Sequence, residues 1–288
     1  MGVNSNYGVI DASGGAAYYE TGNFKYVKVD ANDPAVAPRG IIIRTNHSMS
    51  GDLSKGFGFN RFDNATLLMS SAWEENNLSP KHLLQTIPRS LYHPRTKTDL
   101  SANIPASRDI PEYRFFVDYI PRISTSSSYL IVGAKDKEHA DDAMMWTILG
   151  FPLTTVAIPV WLSSGELPKA AAMNFQDFKA PICSVALKFK EDCFPITIDH
   201  GENYINLSAV LNQEGTGYLQ LLRPVEEQIF KKANLLIANL DNDKSGKKDI
   251  QKFYNWLDDY LQESFKELFD TELFDSYQTT AFISGPIH

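Results

Sequence analysis

Cysteine is scarce in this sequence. Cys183 and Cys193 are the only two among 288 residues, ten positions apart in PICSVALKFKEDCFPITI. A disulfide framework is therefore not the basis of the fold. The two thiols either bridge a hairpin in an oxidising compartment or sit as small apolar side chains. With no histidines at ligand spacing they do not form a zinc site. Basic residues are in the minority too: Lys plus Arg total 27 against 35 for Asp plus Glu, a formal charge of −8. That balance argues against a protein built to grip phosphate backbones or anionic membranes. Ten acids and five lysines fall in 241–288, so −5 of the −8 sits there. This uneven charge reads as a solvated helical face.

Other signals are missing as well. The sequence contains no GxGxxG, P-loop, HxxxH or GxSxG run, which removes the usual grounds for a nucleotide enzyme, a zinc hydrolase or a serine-triad hydrolase. Nucleic-acid-binding signatures are absent. MGVNSNYGVIDASGG has neither a basic nor an apolar leader segment, so no signal peptide is expected there, and localisation is not readable. Residues 143–165 carry no charge, but Pro152 and Pro159 would break a helix twice and Thr147, Thr154 and Thr155 interrupt the apolar run. Two buried strands joined at Gly150-Phe151-Pro152 fit better than a membrane span.

What is present reads as an ordinary globular chain, with 43% hydrophobic and 22% charged residues. Its length buries a core without staples, and we read 1–288 as a single domain. GVID and AAYYET flank Ala-Ser-Gly-Gly, a hairpin signal. FKYVKVD alternates, and GIIIRT is the continuous apolar run of a strand buried on both faces. A helix is expected from about Phe62 with Ala65, Leu68, Ala72 and Trp73 on one face. Ser79-Pro80 is an N-cap followed by proline at the first helical position. Residues 94–122, with four prolines, read as a loop or flap. SSSYLIVGA, MMWTILG, TTVAIPVWL, SVALKFK and PITID read as strands. Residues 224–288 read as C-terminal helices, one opening at Pro224 (Ile229, Ala233, Leu236, Leu240) and one striped by Ile250, Phe253, Leu257, Leu261, Phe265 and Leu268. The order gives an α+β fold class.

Two constellations invite chemistry and then decline it. Asp241, Asp243, Ser245, Gly246 and Asp249 match the first positions of a calcium loop, but Lys252 stands where a bidentate Glu belongs. The better reading is a polar turn capping the next helix. Asp199-His200-Gly201 hints at a triad, yet nothing nominates its serine, and the run reads as a turn. A third cluster is more informative: Arg44-Thr45-Asn46-His47 closes a strand, and Asn60-Arg61-Phe62 opens a helix. An amide on a strand end can donate to a developing oxyanion, and an arginine can orient a charged partner.

YGVIDASGGAAYYE followed by a strand and IIIRTNH resembles the D-x-x-G-x-x-x-x-E … T-N-H run of N-terminal-nucleophile amide hydrolases, in particular the penicillin acyltransferase and choloylglycine hydrolase groups. GFGFNRFDNATLL resembles their R-F segment, and WTILGFPLTTVAIPVWLSSGELP their W-x-x-L-G-x-P … P-x-W strands. The likeness spans residues 3–175 loosely. It implies a four-layer αββα sandwich, here incomplete at its N-terminus, and cleavage of linear C–N amide bonds through an acyl-enzyme. The nucleophile would be an N-terminal cysteine freed by self-cleavage, with its own α-amine as base. The resemblance implies catalytic roles for Asn46, lining the active site, and Arg61, supporting the nucleophile. His47 matches the motif in a packing role. In the family the nucleophilic cysteine precedes the D-x-x-G hairpin, and Cys183 and Cys193 cannot stand in by position. The chain alone is therefore expected to be inactive, its partners being a small amide or acyl substrate and a nucleophile-bearing N-terminal segment. No cofactor, metal, nucleic acid or membrane span is expected. The alternative is a non-catalytic ligand-binding protein on the same scaffold.

Overall fold

The computed structural model describes residues 6–10, 15–20, 26–30, 33–34, 37, 39–43, 45, 58–134, 141, 143–173, 179–195, 199–240 and 246–274, with only the backbone of 6–30. The chain is mixed α and β, built from small antiparallel sheets and helices. It divides into two compact units, Met1–Asn103 with Phe115–Arg122, and Ile104–Arg114 with Ile123–His288.

In the first unit, strands β1 (Asn6–Ile10), β2 (Gly15–Glu20) and β3 (Tyr26–Asp30) form an antiparallel meander, with Ile10 opposite Ala16 and Gly15 opposite Asp30. The two strands expected to flank Ala-Ser-Gly-Gly do pair antiparallel, and FKYVKVD contributes β3; the turn residues 12–14 lie outside the described residues. The strand expected at GIIIRT does not form: Ile41–Ile43 lie in no strand and are only half-buried. An apolar run marks burial without fixing the backbone state. Helix α1 (Phe59–Glu74) begins three residues before Phe62, and α2 (Pro80–Thr86) is capped by Ser79, whose hydroxyl accepts from the His82 N–H at 3.3 Å. Strands β4 (Tyr92–His93) and β5 (Thr98–Asp99) form a minimal hairpin. The buried face of α1 is not the apolar stripe expected. It consists of Asn60, Arg61, Asn64 and Ala72, while Trp73 is 46% exposed beneath Arg39.

The second unit is organised by an antiparallel sheet of β7 (Ser127–Val132), β8 (Met144–Leu149) and β9 (Ala157–Trp161), in the order β7-β8-β9. A short β6 (Tyr113–Phe115) pairs with β10 (Tyr204–Asn206), which runs into the one-turn α4 (Leu207–Val210). Long helices α5 (Tyr218–Leu240) and α6 (Lys247–Phe269) cover one face of the main sheet. Trp146 stacks on Phe230 at 4.3 Å and Trp161 meets Phe253 edge-on at 5.3 Å. Gly150 turns β8 toward β9 with φ +90, and a Cβ there would lie 2.5 Å from the Cβ of Ala186. Only glycine permits both the turn and that contact.

SVALKFK is not a strand. It lies within helix α3 (Pro181–Cys193), whose buried residues Ile182, Val185, Ala186, Phe189 and Cys193 recur at helical spacing behind a first-turn proline. This placement also decides the cysteine question. Ten helical residues span about 15 Å, beyond disulfide reach, and both thiols are free. Helix α5 starts at Tyr218 rather than Pro224, which lies inside it. PITID falls partly on residues 196–198, outside the described residues.

The two outer helices do more than cover the sheet. On β9 the outward-facing backbone positions are Ala157, Pro159 and Trp161, and none leaves an N–H donor unused. Ala157 donates to the Glu226 carboxylate at 2.7 Å, Trp161 donates to the Tyr254 hydroxyl at 2.9 Å, and Pro159 has no N–H. From α6, Asp258 accepts from the Lys169 and Ala170 N–H groups, each at 2.9 Å. These bonds are obligatory, because buried backbone donors without acceptors cost about 1–3 kcal/mol each.

Glu226→Ala is expected to destabilise the protein by about 1–3 kcal/mol in urea unfolding, and Glu226→Gln, which keeps an acceptor, by clearly less. Burial raises the Asp258 carboxyl above its usual value, outweighing the backbone bonds and Lys169 that pull it down. The folded state therefore holds that proton more tightly than the unfolded chain does. Its contribution is largest below about pH 4 and is lost as pH rises through the raised native value. The stability difference between wild type and Asp258→Asn, measured against pH, should fall across that window.

Candidate functional site

The polar face of α1 gives the first unit its densest chemistry. Arg61 is 8% exposed and its guanidinium Nη1 donates to Asp118 Oδ1 in a buried ion pair. The same carboxylate accepts from the Gly58 backbone N–H at 3.3 Å and, through Oδ2, from the Asn60 side-chain amide at 3.0 Å. One aspartate thus caps the N-terminus of α1, neutralises its buried arginine and orients its first asparagine. Negative charge at that helix end is also favoured by the helix dipole. Asp118 adopts φ 64, a left-handed conformation that costs a non-glycine residue about 1–2 kcal/mol. The three bonds hold it there.

One turn further along, the Asn64 amide donates to the Ser90 hydroxyl and to the Tyr92 carbonyl, each at 2.8 Å. His93 Nδ1 accepts from the Thr96 N–H at 3.3 Å and lies 3.0 Å from the Thr96 hydroxyl. Its ring packs at 5.3 Å from Tyr119, whose hydroxyl is pushed up to about 12 by burial first and by Asp99 second. Burial lowers the Arg61 guanidinium from its ordinary value, Asp118 opposes that, and Arg122 adds to it.

Of the residues the sequence nominates, Arg61 stands at the centre of this cluster. Arg44, Asn46 and His47 lie outside the described residues. Thr45, next to Asn46 in the chain, donates its hydroxyl to the Gly58 carbonyl at 3.1 Å. The threonine of the T-N-H run is therefore bonded to the residue that begins the turn into α1, three positions before Arg61. Asn60, named beside Arg61 in the sequence, belongs to the cluster as well, whereas Asp118 and Asn64 are marked by nothing in the sequence. Asp118 sits 57 positions from Arg61 in a stretch with no motif, and no local pattern announces such a pairing.

The other candidates are elsewhere. Cys183 and Cys193 lie on α3 in the second unit. Burial raises the Cys183 thiol, and it raises that of the fully buried Cys193 far above its ordinary value. Neither is poised as a thiolate. His200 is exposed in a turn with φ 57, 3.9 Å from Asp199 and 3.7 Å from Glu202. Residues 241–245 of the calcium-like run lie outside the described residues. Asp249 accepts from the Gly246 N–H at 3.2 Å and pairs with Lys252 at 2.9 Å, as a helix-capping turn requires. Among the described residues no group of three His, Cys, Asp or Glu is placed to hold a metal ion, and no helix is long and apolar enough to cross a membrane. Comparison with protein-family models, with curated proteins and with solved structures finds no match.

Breaking a buried ion pair from one side costs about 3–5 kcal/mol. Arg61→Met and Asp118→Asn should each approach that loss in urea unfolding. The double variant should lose less than the sum, by roughly 1–3 kcal/mol. A fully additive cycle would remove Asp118 as the partner that matters to Arg61.

Proposed function

We propose that this chain is part of a linear-amide C–N hydrolase or acyltransferase of the N-terminal-nucleophile type. A single observation carries the reading. Thr45 is hydrogen-bonded to Gly58, while Gly58 and Arg61 share the Asp118 carboxylate. Thr45 of the T-N-H run and Arg61 of the R-F run, nominated separately by resemblance, thereby bond to one shared corner, which supports the reading.

In this reading a cysteine thiolate attacks the carbonyl carbon of an amide. The carboxamide of Asn46 donates to the oxygen as it becomes negative. The C–N bond then breaks, the amine leaves with a proton from the nucleophile's own ammonium, and water later cleaves the thioester. Arg61 is a positioning residue, held rigid by Asp118 so that its charge faces a fixed point. Rigid support of this kind is what a functional group needs from its surroundings. Neither Cys183 nor Cys193 suits the attack, because each thiol is raised by burial on a helix of the other unit. The thiolate is therefore supplied by a further polypeptide segment. The four-layer αββα sandwich belongs to the same proposal. A sheet with two long helices on one face and Thr147 and Ile158 buried on the other is consistent with half of such a stack.

The test supplies residues 1–288 with a polypeptide segment bearing an N-terminal cysteine and offers a thiol-reactive amide probe. The expected result is one acyl adduct on that segment's N-terminal cysteine, formed roughly a hundredfold more slowly in folded Arg61→Lys protein. Residues 1–288 alone should give no adduct at Cys183 or Cys193. An adduct on either of those, or none with the segment supplied, defeats the proposal and leaves the non-catalytic ligand-binding reading.

A further inference from the structure

The two edges of the main sheet are treated in opposite ways. On β9 the outward donors are used by Glu226 and Tyr254 or eliminated by Pro159. On β7 nothing comparable happens. The Gly150 N–H donates to Ser126, which turns even-numbered positions inward and leaves Ser127, Tyr129 and Ile131 facing out. Among the described residues their outward backbone groups have no hydrogen-bond partner. Tyr129 and Ile131 are also 68% and 66% exposed. The usual protections of an edge strand are a lysine, a proline, a bulge or a covering element. Residues 123–134 carry no charge and no proline, and β7 pairs with β8 in unbroken register from Ser127–Leu149 to Val132–Met144.

We propose that this edge is a dimerisation surface, on which β7 pairs antiparallel with β7 of a second copy of the chain. The strand is complementary to its own reverse. With a two-fold axis at Leu130, Tyr129 lies opposite Ile131 of the second copy and Ile131 opposite its Tyr129. Both pairs exchange backbone hydrogen bonds, and both are aromatic–β-branched pairs of the kind that stabilise sheets. Leu130 lies opposite Leu130, on the face that the helices cover. The two three-stranded sheets become one of six, and the contact closes at two copies. Charge favours the same occupant. In a chain of −8, self-association is resisted wherever like charges meet, and the uncharged stretch 123–134 is where two copies approach without that cost. Two six-residue edges bury well under the ~1,600 Å² of a standard interface, so the dimer is expected to form in the micromolar rather than the nanomolar range.

Sedimentation velocity over a concentration series of the full chain tests this directly. The expected result is a monomer–dimer equilibrium, weakened at least about tenfold in Ile131→Lys and in Tyr129→Lys, each checked for unchanged circular dichroism. Leu130→Cys under mild oxidation should give a disulfide dimer whose linked peptide joins position 130 to itself, since opposed residues of such a pair lie within disulfide reach. A monomer at every concentration, growth beyond two copies, or a dimer indifferent to both lysine variants overturns the proposal. None of these readouts depends on catalysis.

Discussion

A backbone N–H removed from water must find an acceptor, and in this chain the decisive acceptors are side chains that reach across from helices and loops. Glu226 and Tyr254 seal the β9 edge, Asp258 holds the start of the segment after it, and Asp118 caps α1 while neutralising Arg61. Each of these groups is polar and at least largely buried, a costly placement if its bonds were unmade. Because the bonds are made, each residue links two parts of the chain at a defined distance, which apolar contact alone does not achieve. Hydrophobic burial decides that α5 and α6 lie on the sheet, while Glu226 and Tyr254 decide where along β9 they lie.

The legible parts of the sequence were those whose signal is local. The Ser79-Pro80 start of α2, the pairing of β1 with β2, the β8–β9 turn at Gly150 and the stripe of α6 each depend on residues within a few positions of one another. The errors share a cause as well. SVALKFK and GIIIRT are short apolar runs, and such runs report burial without distinguishing strand, helix or irregular chain. At SVALKFK the deciding information was Ile182 and Cys193 on either side, which extend the apolar spacing to three helical turns. Pro224 suggested a helix start because proline is most easily accommodated there. The chain instead begins α5 at Tyr218, where the Gln220 side chain accepts from the Asn212 and Gly217 N–H groups.

The site was half legible for the same reason. Arg61 stood out through its place in a run of residues, whereas Asp118 had no run to stand in. What makes Asp118 matter is a meeting of positions 45, 58, 60, 61 and 118, which exists only after folding. The buried face of α1 also reads as a defect in the sequence, with asparagine and arginine where leucine is expected. In the folded unit its amide donors are taken up by Asp118, Ser90 and the Tyr92 carbonyl, while the Asn60 and Asn64 side-chain oxygens are buried without a partner among the described residues. Local rules are most often broken where a structure serves something other than stability.

Arg61 is instructive in this respect. A guanidinium that served only to fill space against Asp118 could be exchanged with its partner for two apolar side chains at little loss, since buried ion pairs are seldom better than well-packed hydrocarbon. The left-handed Asp118 adds its own conformational cost. Stability alone therefore accounts poorly for the pair, while orientation accounts for it well. A bidentate-capable, permanently charged group fixed by a carboxylate that is itself fixed by two further donors has almost no freedom left. Such rigidity is of use when a charge must face one point, and Thr45, through its bond to Gly58, reaches that same corner.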